Sequence, residues 1–174
     1  MAASANPCIC RSRATVKARH RWTYEVVELE EKIVAGISAR TSNDAPDAGM
    51  VIGSLWGRFF EEGIFFNISN KVNEKSIGLY SDYNDENMQE YQITVGCEVS
   101  STEQNQEGLT FAVIPKGKYA KFIVRGHMQK AVSEFWTRLW KMDLNRSFTG
   151  DFEEYQPGGT LEDSEIHMYI ALKE

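Results

Sequence analysis

At 174 residues, with 42% apolar and 11% aromatic side chains, the chain has the size and composition of one globular domain, which excludes a disordered or fibrous protein. Its apolar runs are only a few residues long, too short to span a membrane. Residues 1–22 hold Arg11, Arg13, Lys17, Arg19 and Arg21 and no acid, leaving 14 cationic against 25 acidic side chains in the remainder, a body that repels nucleic acid and attracts cations.

Residues 1–21 are expected to be a basic, disordered N-terminal extension and are set aside from the fold. An Arg-rich, acid-poor stretch also suits a transit-type leader or a basic arm. It is too short for a helix-turn-helix reader of DNA. Cys8, Cys10 and Cys97 cannot all pair with one another, and no His or further Cys near Cys8-Ile9-Cys10 completes a zinc site. They read as reduced thiols of a cytoplasmic protein.

From Trp22 the pattern runs strand, helix, strand, strand. Tyr24 to Arg40 is extended, with a break at Glu30-Glu31, and 41–47 is a loop of turn and cap residues. Met50 to Phe60 carries Ile52, Leu55, Trp56, Phe59 and Phe60 at helical spacing. Ile77 to Tyr83 and Tyr91 to Val99 are strands joined through 84–87. The second half repeats this order. Leu109 to Val124 is extended and broken at Pro115-Lys116-Gly117; Met128 to Met142 is a helix with Val132, Phe135, Trp136, Leu139 and Trp140 on one stripe. Phe152 to Gln156 and Glu165 to Leu172 close the chain as a hairpin. The predicted fold is α+β: duplicated β-α-β-β units, residues 22–100 and 108–174, forming antiparallel sheet with two helices and a pseudo-twofold axis. Ligands commonly lodge at the junction of such units.

The closing hairpin carries the functional signal. Alternation along Phe152-Glu153-Glu154-Tyr155 puts Glu153 and Tyr155 on one face, with Glu154 opposite. In Ile166-His167-Met168-Tyr169-Ile170, His167 and Tyr169 share a face. Polar groups in strands otherwise made of core residues point to a ligand pocket. Its aromatic walls are expected from Trp56, Trp136, Tyr80 and Tyr91, whose faces attract organic cations. His20, His127 and His167 are scattered, so neither a metal nor a cofactor is expected. Gly57 and Gly63 weaken the first helix locally, or Gly63 caps it.

Six segments in order carry a family resemblance: Leu55-Trp56-x-Arg58-Phe59, Ile77-Gly78-Leu79-Tyr80-x-Asp82-Tyr83, Tyr91-x-x-x-Val95-Gly96-x-Glu98-Val99, Ile114-Pro115-x-Gly117-x-Tyr119-Ala120, Phe152-Glu153-x-Tyr155 and the 166–172 strand. Over roughly residues 22–174 the chain resembles the gyrase-inhibitor-like small-molecule-binding proteins. These include effector-binding domains of drug-responsive AraC- and MerR-type transcription activators, and stand-alone cationic-drug binders carried on mobile gene cassettes. The resemblance implies that Glu153 is the acidic anchor of the pocket. Where several relatives have a second Glu, this chain has His167, which would make cation preference sensitive to pH.

The function expected from this reading is a stand-alone, non-catalytic binder of amphipathic, cationic organic molecules, with no direct nucleic-acid or membrane partner. Two alternatives differ in class. A hydrolase of reactive electrophiles would use Glu153 with Trp136 or Trp56. An inhibitor of a partner enzyme such as a topoisomerase would not need Glu153.

Overall fold

A computed structural model describes residues 16–17, 23–84 and 86–174. The expectations for the remaining N-terminal residues, including Cys8 and Cys10, lie outside the described residues. Strands β1 (Val16–Lys17), β2 (Thr23–Leu29) and β3 (Lys32–Ser42) lead into helix α1 (Ala48–Glu61) and a single turn, α2 (Ile64–Asn67). Strands β4 (Ser76–Ser81), β5 (Glu90–Val99), β6 (Thr110–Ile114) and β7 (Gly117–Gly126) follow, then helix α3 (Met128–Leu139), β8 (Asp151–Tyr155) and β9 (Ser164–Ala171). The α+β repeat reading holds, with one addition. Gly63, at φ 70°, turns the chain out of α1 and straight into α2, so there is a third helix where two were expected.

All strand pairings are antiparallel, and the order across the sheet is β1-β2-β7-β9-β8-β4-β5-β3-β6. That order is symmetric about the β8·β4 pair: β9 mirrors β5, β7 mirrors β3, and β2 mirrors β6. The first strand of each repeat therefore lies beside the other repeat's half. Only Glu30 and Glu31 connect β2 to β3, and only Pro115 and Lys116 connect β6 to β7. Such short links join strands that sit far apart in the sheet order, so the sheet must curl until its two sides meet. The four strand ends converge where Leu29 pairs with Gly117 and Lys32 with Ile114. There Tyr119 Oη donates to the Pro115 carbonyl at 2.6 Å, and Lys116 faces Glu30 at 3.3 Å.

Curling encloses one face on itself. Val34, Ile77, Leu79, Ile114, Tyr119, Phe152, Tyr169 and Ala171 form a core to which, among the described residues, no helix contributes. On the other face α1 covers β3 and β5, with Leu55 and Phe59 buried, and α3 covers β7 and β9 through Ala131, Phe135 and Leu139. Strand β9 is thus covered on both sides. Cys97 is buried and free, and burial pushes its thiol up to about 12, which leaves it inert. Among the described residues no helix is long and apolar enough to cross a membrane.

Gly36 and Gly96 face one another across β3·β5. A Cβ on Gly36 would lie 1.9 Å from the Val95 carbonyl oxygen, and one on Gly96 would lie 2.1 Å from that of Ala35. The obstacle is backbone, which cannot swing aside. Gly36→Ala and Gly96→Ala should each lower the unfolding free energy by about 1–3 kcal/mol. Denaturant titration checks this against Gly49→Ala, where nothing lies within 4 Å of the added carbon; equal stability of all three would show that the strands have room.

Candidate functional site

Because each helix lies over the outer strands of its own half, the central β4·β8 pair is left without a helix above it. The space over this seam, between α1 and α3, is a cavity of about 1050 Å³. Its floor comprises Tyr80 of β4, Tyr91 of β5, and Glu153 and Tyr155 of β8. Trp56 and Phe60 of α1 form one wall, and Val132 and Trp136 of α3 the other. Phe60 and Trp140 also line it yet remain 45% and 46% exposed, which puts them at the mouth. Toward the cavity α1 turns Gly49, Gly53 and Gly57, one helical turn apart, with nothing within 4 Å of where their Cβ atoms would be.

Glu153 is the chemical centre. The residue is 1% exposed. Tyr80 Oη and Trp136 Nε1 donate to Oε1 at 2.8 and 2.7 Å, and Tyr155 Oη donates to Oε2 at 2.7 Å. All three donors are neutral, and among the described residues no Lys or Arg pairs with this carboxylate. Burial raises the Glu153 carboxyl above the ordinary carboxylate range, against the opposing pull of its three hydrogen bonds. Burial and the neighbouring carboxylate hold the Tyr80 and Tyr155 phenols well above their usual range, so both stay protonated donors.

Room for this arrangement comes from Gly78, directly opposite Glu153 in the β4·β8 ladder. A Cβ there would approach Trp56 Cζ2 to 3.1 Å and Glu153 Oε2 to 3.2 Å. The aromatic lining is continuous. Trp136 lies 4.9 Å from Tyr80, Tyr80 lies 5.3 Å from Tyr91, and Trp56 meets Tyr155 edge-on at 4.9 Å.

Of the eight residues singled out from sequence, the structure brings Glu153, Tyr155, Trp56, Trp136, Tyr80 and Tyr91 around this one cavity. His167 and Tyr169 are elsewhere, which corrects the expectation that they share a pocket with Glu153. In the β8·β9 ladder Glu153 faces Met168, whereas Glu154 faces His167 and Phe152 faces Tyr169. Directly paired residues project from the same side, so His167 and Tyr169 belong to the face away from the helices. There His167 Nε2 meets Glu165 at 2.7 Å, and Tyr169 stacks on Phe152 at 4.4 Å. Glu154, which the sequence did not mark as special, is also largely buried on that face and pairs with Lys75 at 3.3 Å.

Sequence reasoning missed several contributors. Gly49, which lies before the helix expected from Met50, and Gly53 were assigned no role, although their four-residue spacing with Gly57 was readable. Gly78 stood inside a quoted motif without a role. Asp151 shares the Glu153 face by strand alternation; it is fully buried, accepting from Tyr83 Oη at 2.9 Å, Arg146 Nη2 at 2.7 Å and the Ala171 amide at 2.8 Å.

The model of the Cass2 family, integron-associated effector binding proteins, matches residues 25–172. No curated protein sequence matches the chain. Among solved structures, an integron cassette protein from the mobile metagenome of Vibrio cholerae is similar at 24% identity and a TM-score of 0.67, covering 86% of this chain and 95% of that one. The protein SAV2435 bound to tetraphenylphosphonium is similar at 19% identity and a TM-score of 0.68, covering 84% and 93%. A Staphylococcus aureus protein described as a putative bacterial transcription regulation protein is similar at 19% and 0.66, covering 85% and 97%. At these identities the structural likeness establishes the fold.

A carboxyl whose folded pKa exceeds its unfolded value holds its proton more tightly when folded. The ligand-free domain therefore loses stability as pH rises from the ordinary carboxylate range through the raised value. Glu153→Gln keeps an acceptor for Tyr80 and Trp136 but removes the charge. It should raise the melting temperature at pH 7 and flatten the dependence over that window, measured by calorimetry. A lower melting temperature for the variant at pH 7 would mean that the three hydrogen bonds outweigh desolvation.

Proposed function

The chain belongs to the Cass2 family of integron-associated effector binding proteins, and from that premise we propose that residues 22–174 bind amphipathic organic cations, without chemical turnover, in the cavity between α1 and α3. The observation that carries this reading is Glu153: a buried carboxylate with no cationic partner among the described residues, on the floor of an aromatic cavity. Neutral donors satisfy its lone pairs but leave its charge uncompensated, and a cation arriving within the cavity supplies that compensation. Aromatic faces add about 0.5–2 kcal/mol per favourable contact. The tetraphenylphosphonium held by the similar SAV2435 fold is a bulky cation of this type. Membership of the wider gyrase-inhibitor-like group, with a role in sensing or sequestering such compounds, is part of the same reading.

Glu153→Gln should weaken tetraphenylphosphonium by about 10–100-fold, the worth of a charge-assisted contact, and leave neutral triphenylmethane unaffected. Titration calorimetry separates the cases, and equal losses for both probes would refute the anchor role. The cation should be recovered chemically unchanged after saturating one site; consumption of more than one equivalent would favour the hydrolytic reading.

Protonation of Glu153 competes with the cation, so affinity should fall as pH drops through the raised carboxyl value and level off above it. Since His167 faces the other side of the sheet, His167→Gln should leave this profile in place. A profile that disappears in the His167 variant would return His167 to the site.

Gly53→Ala adds one carbon to an open wall. The ligand-free domain should gain about 1 kcal/mol from helix propensity, while tetraphenylphosphonium loses affinity relative to the slimmer tetramethylammonium. Unchanged selectivity would remove the glycine face from the binding surface.

A further inference from the structure

Arg146 also lines the cavity, and Glu153 does not account for it. The residue is 9% exposed, and its guanidinium lies 4.1 Å from the Phe148 ring and 5.0 Å from that of Trp140. Of the five N–H donors of an arginine, one is engaged among the described residues: Nη2 donates to Asp151 Oδ2 at 2.7 Å. Nε is buried and has no hydrogen-bond partner among the described residues. A buried donor without an acceptor destabilises the fold, and an arriving acceptor relieves that. Asp151 also accepts from Tyr83 and the Ala171 amide.

Resting on the reading of the cavity as a cation site, we propose that Arg146 is a second recognition point, which selects organic cations that also carry a carbonyl oxygen. The acceptor is a carbonyl rather than a carboxylate for two reasons. Asp151 already neutralises the guanidinium, so an added full charge finds no uncompensated partner there. Glu153 meanwhile repels any anion entering the same cavity. Asp151 precedes Glu153 by two residues on one face of β8, roughly 7 Å along the strand. A rigid cation one or two rings long therefore spans the two points. The ligand class becomes an aromatic cation bearing an ester or amide at the end away from its charge.

The test uses three dyes that share a 10-methyl-9-phenylacridinium core and carry hydrogen, a methyl ester or a carboxylate on the phenyl ring. On the unaltered chain the ester should bind about tenfold or more tighter than the parent dye, and the carboxylate should bind more weakly than the ester. Arg146→Lys keeps a charge for Asp151 but loses the planar set of donors, so the ratio of ester to parent affinity should collapse toward one. Asp151→Asn frees the guanidinium charge and should shift preference from ester to carboxylate. Equal binding of ester and parent dye by the unaltered chain overturns the proposal, as does a ratio that survives Arg146→Lys; the dye series on the unaltered chain decides the question even where a variant fails to fold. Glu153→Gln separates the two readings. If it leaves parent-dye affinity unchanged, the cation site itself is refuted; if it weakens the parent dye and no ester preference exists, only the role of Arg146 falls.

Discussion

Two links of two residues each constrain this molecule. Glu30-Glu31 and Pro115-Lys116 join strands that hydrogen-bond into opposite halves of the sheet, so the halves cannot lie flat side by side. The curl they impose closes one face around Tyr119, Phe152 and Tyr169 without help from a helix. Helices α1 and α3 are then free to lie on the other face. Each settles over the outer strands of its own half, and the seam between halves becomes a trough. The cavity between α1 and α3 is a by-product of how the strands are exchanged.

The charge around the trough is biased toward the acidic. Among the described residues around it, Glu61 and Glu153 are acids, and Arg146 is the sole cation, already matched by Asp151. A buried acid cradled by two phenols and an indole is held in place without being neutralised. Structural ion pairs elsewhere in the molecule, such as Lys75 with Glu154, provide the contrast: there the compensating charge is built in. The electrostatic incompleteness at Glu153 sets this site apart from the ion pairs built into the rest of the fold.

Much of the fold was legible because its signals are local. Ile52, Leu55, Trp56, Phe59 and Phe60 declare a helix within eleven residues, and the repeat of that stripe around Trp136 exposed the duplication. Alternation correctly paired Glu153 with Tyr155 and His167 with Tyr169. It could not say which pair faced the helices, because register between β8 and β9 is set by the loop between them, and a slip of one residue exchanges the faces. The glycines failed for a different reason. Their value lies in what is absent, and an absence has meaning only once the opposite wall is known.

The pairing of Gly78 with Glu153 bears on how such a site can arise. It is the middle pair of the β4·β8 ladder, between strands that are each other's counterparts in the repeat. In a symmetric dimer of two identical half-chains, that position would have to carry the same residue twice. Two glycines would leave the seam without charge. Two glutamates would set carboxylates face to face, and one would take up a proton to escape the other. Joining both halves in a single polypeptide removes this restriction, since each copy can change alone. One half could then keep the bare backbone that makes space, while the other acquired the acid that occupies it.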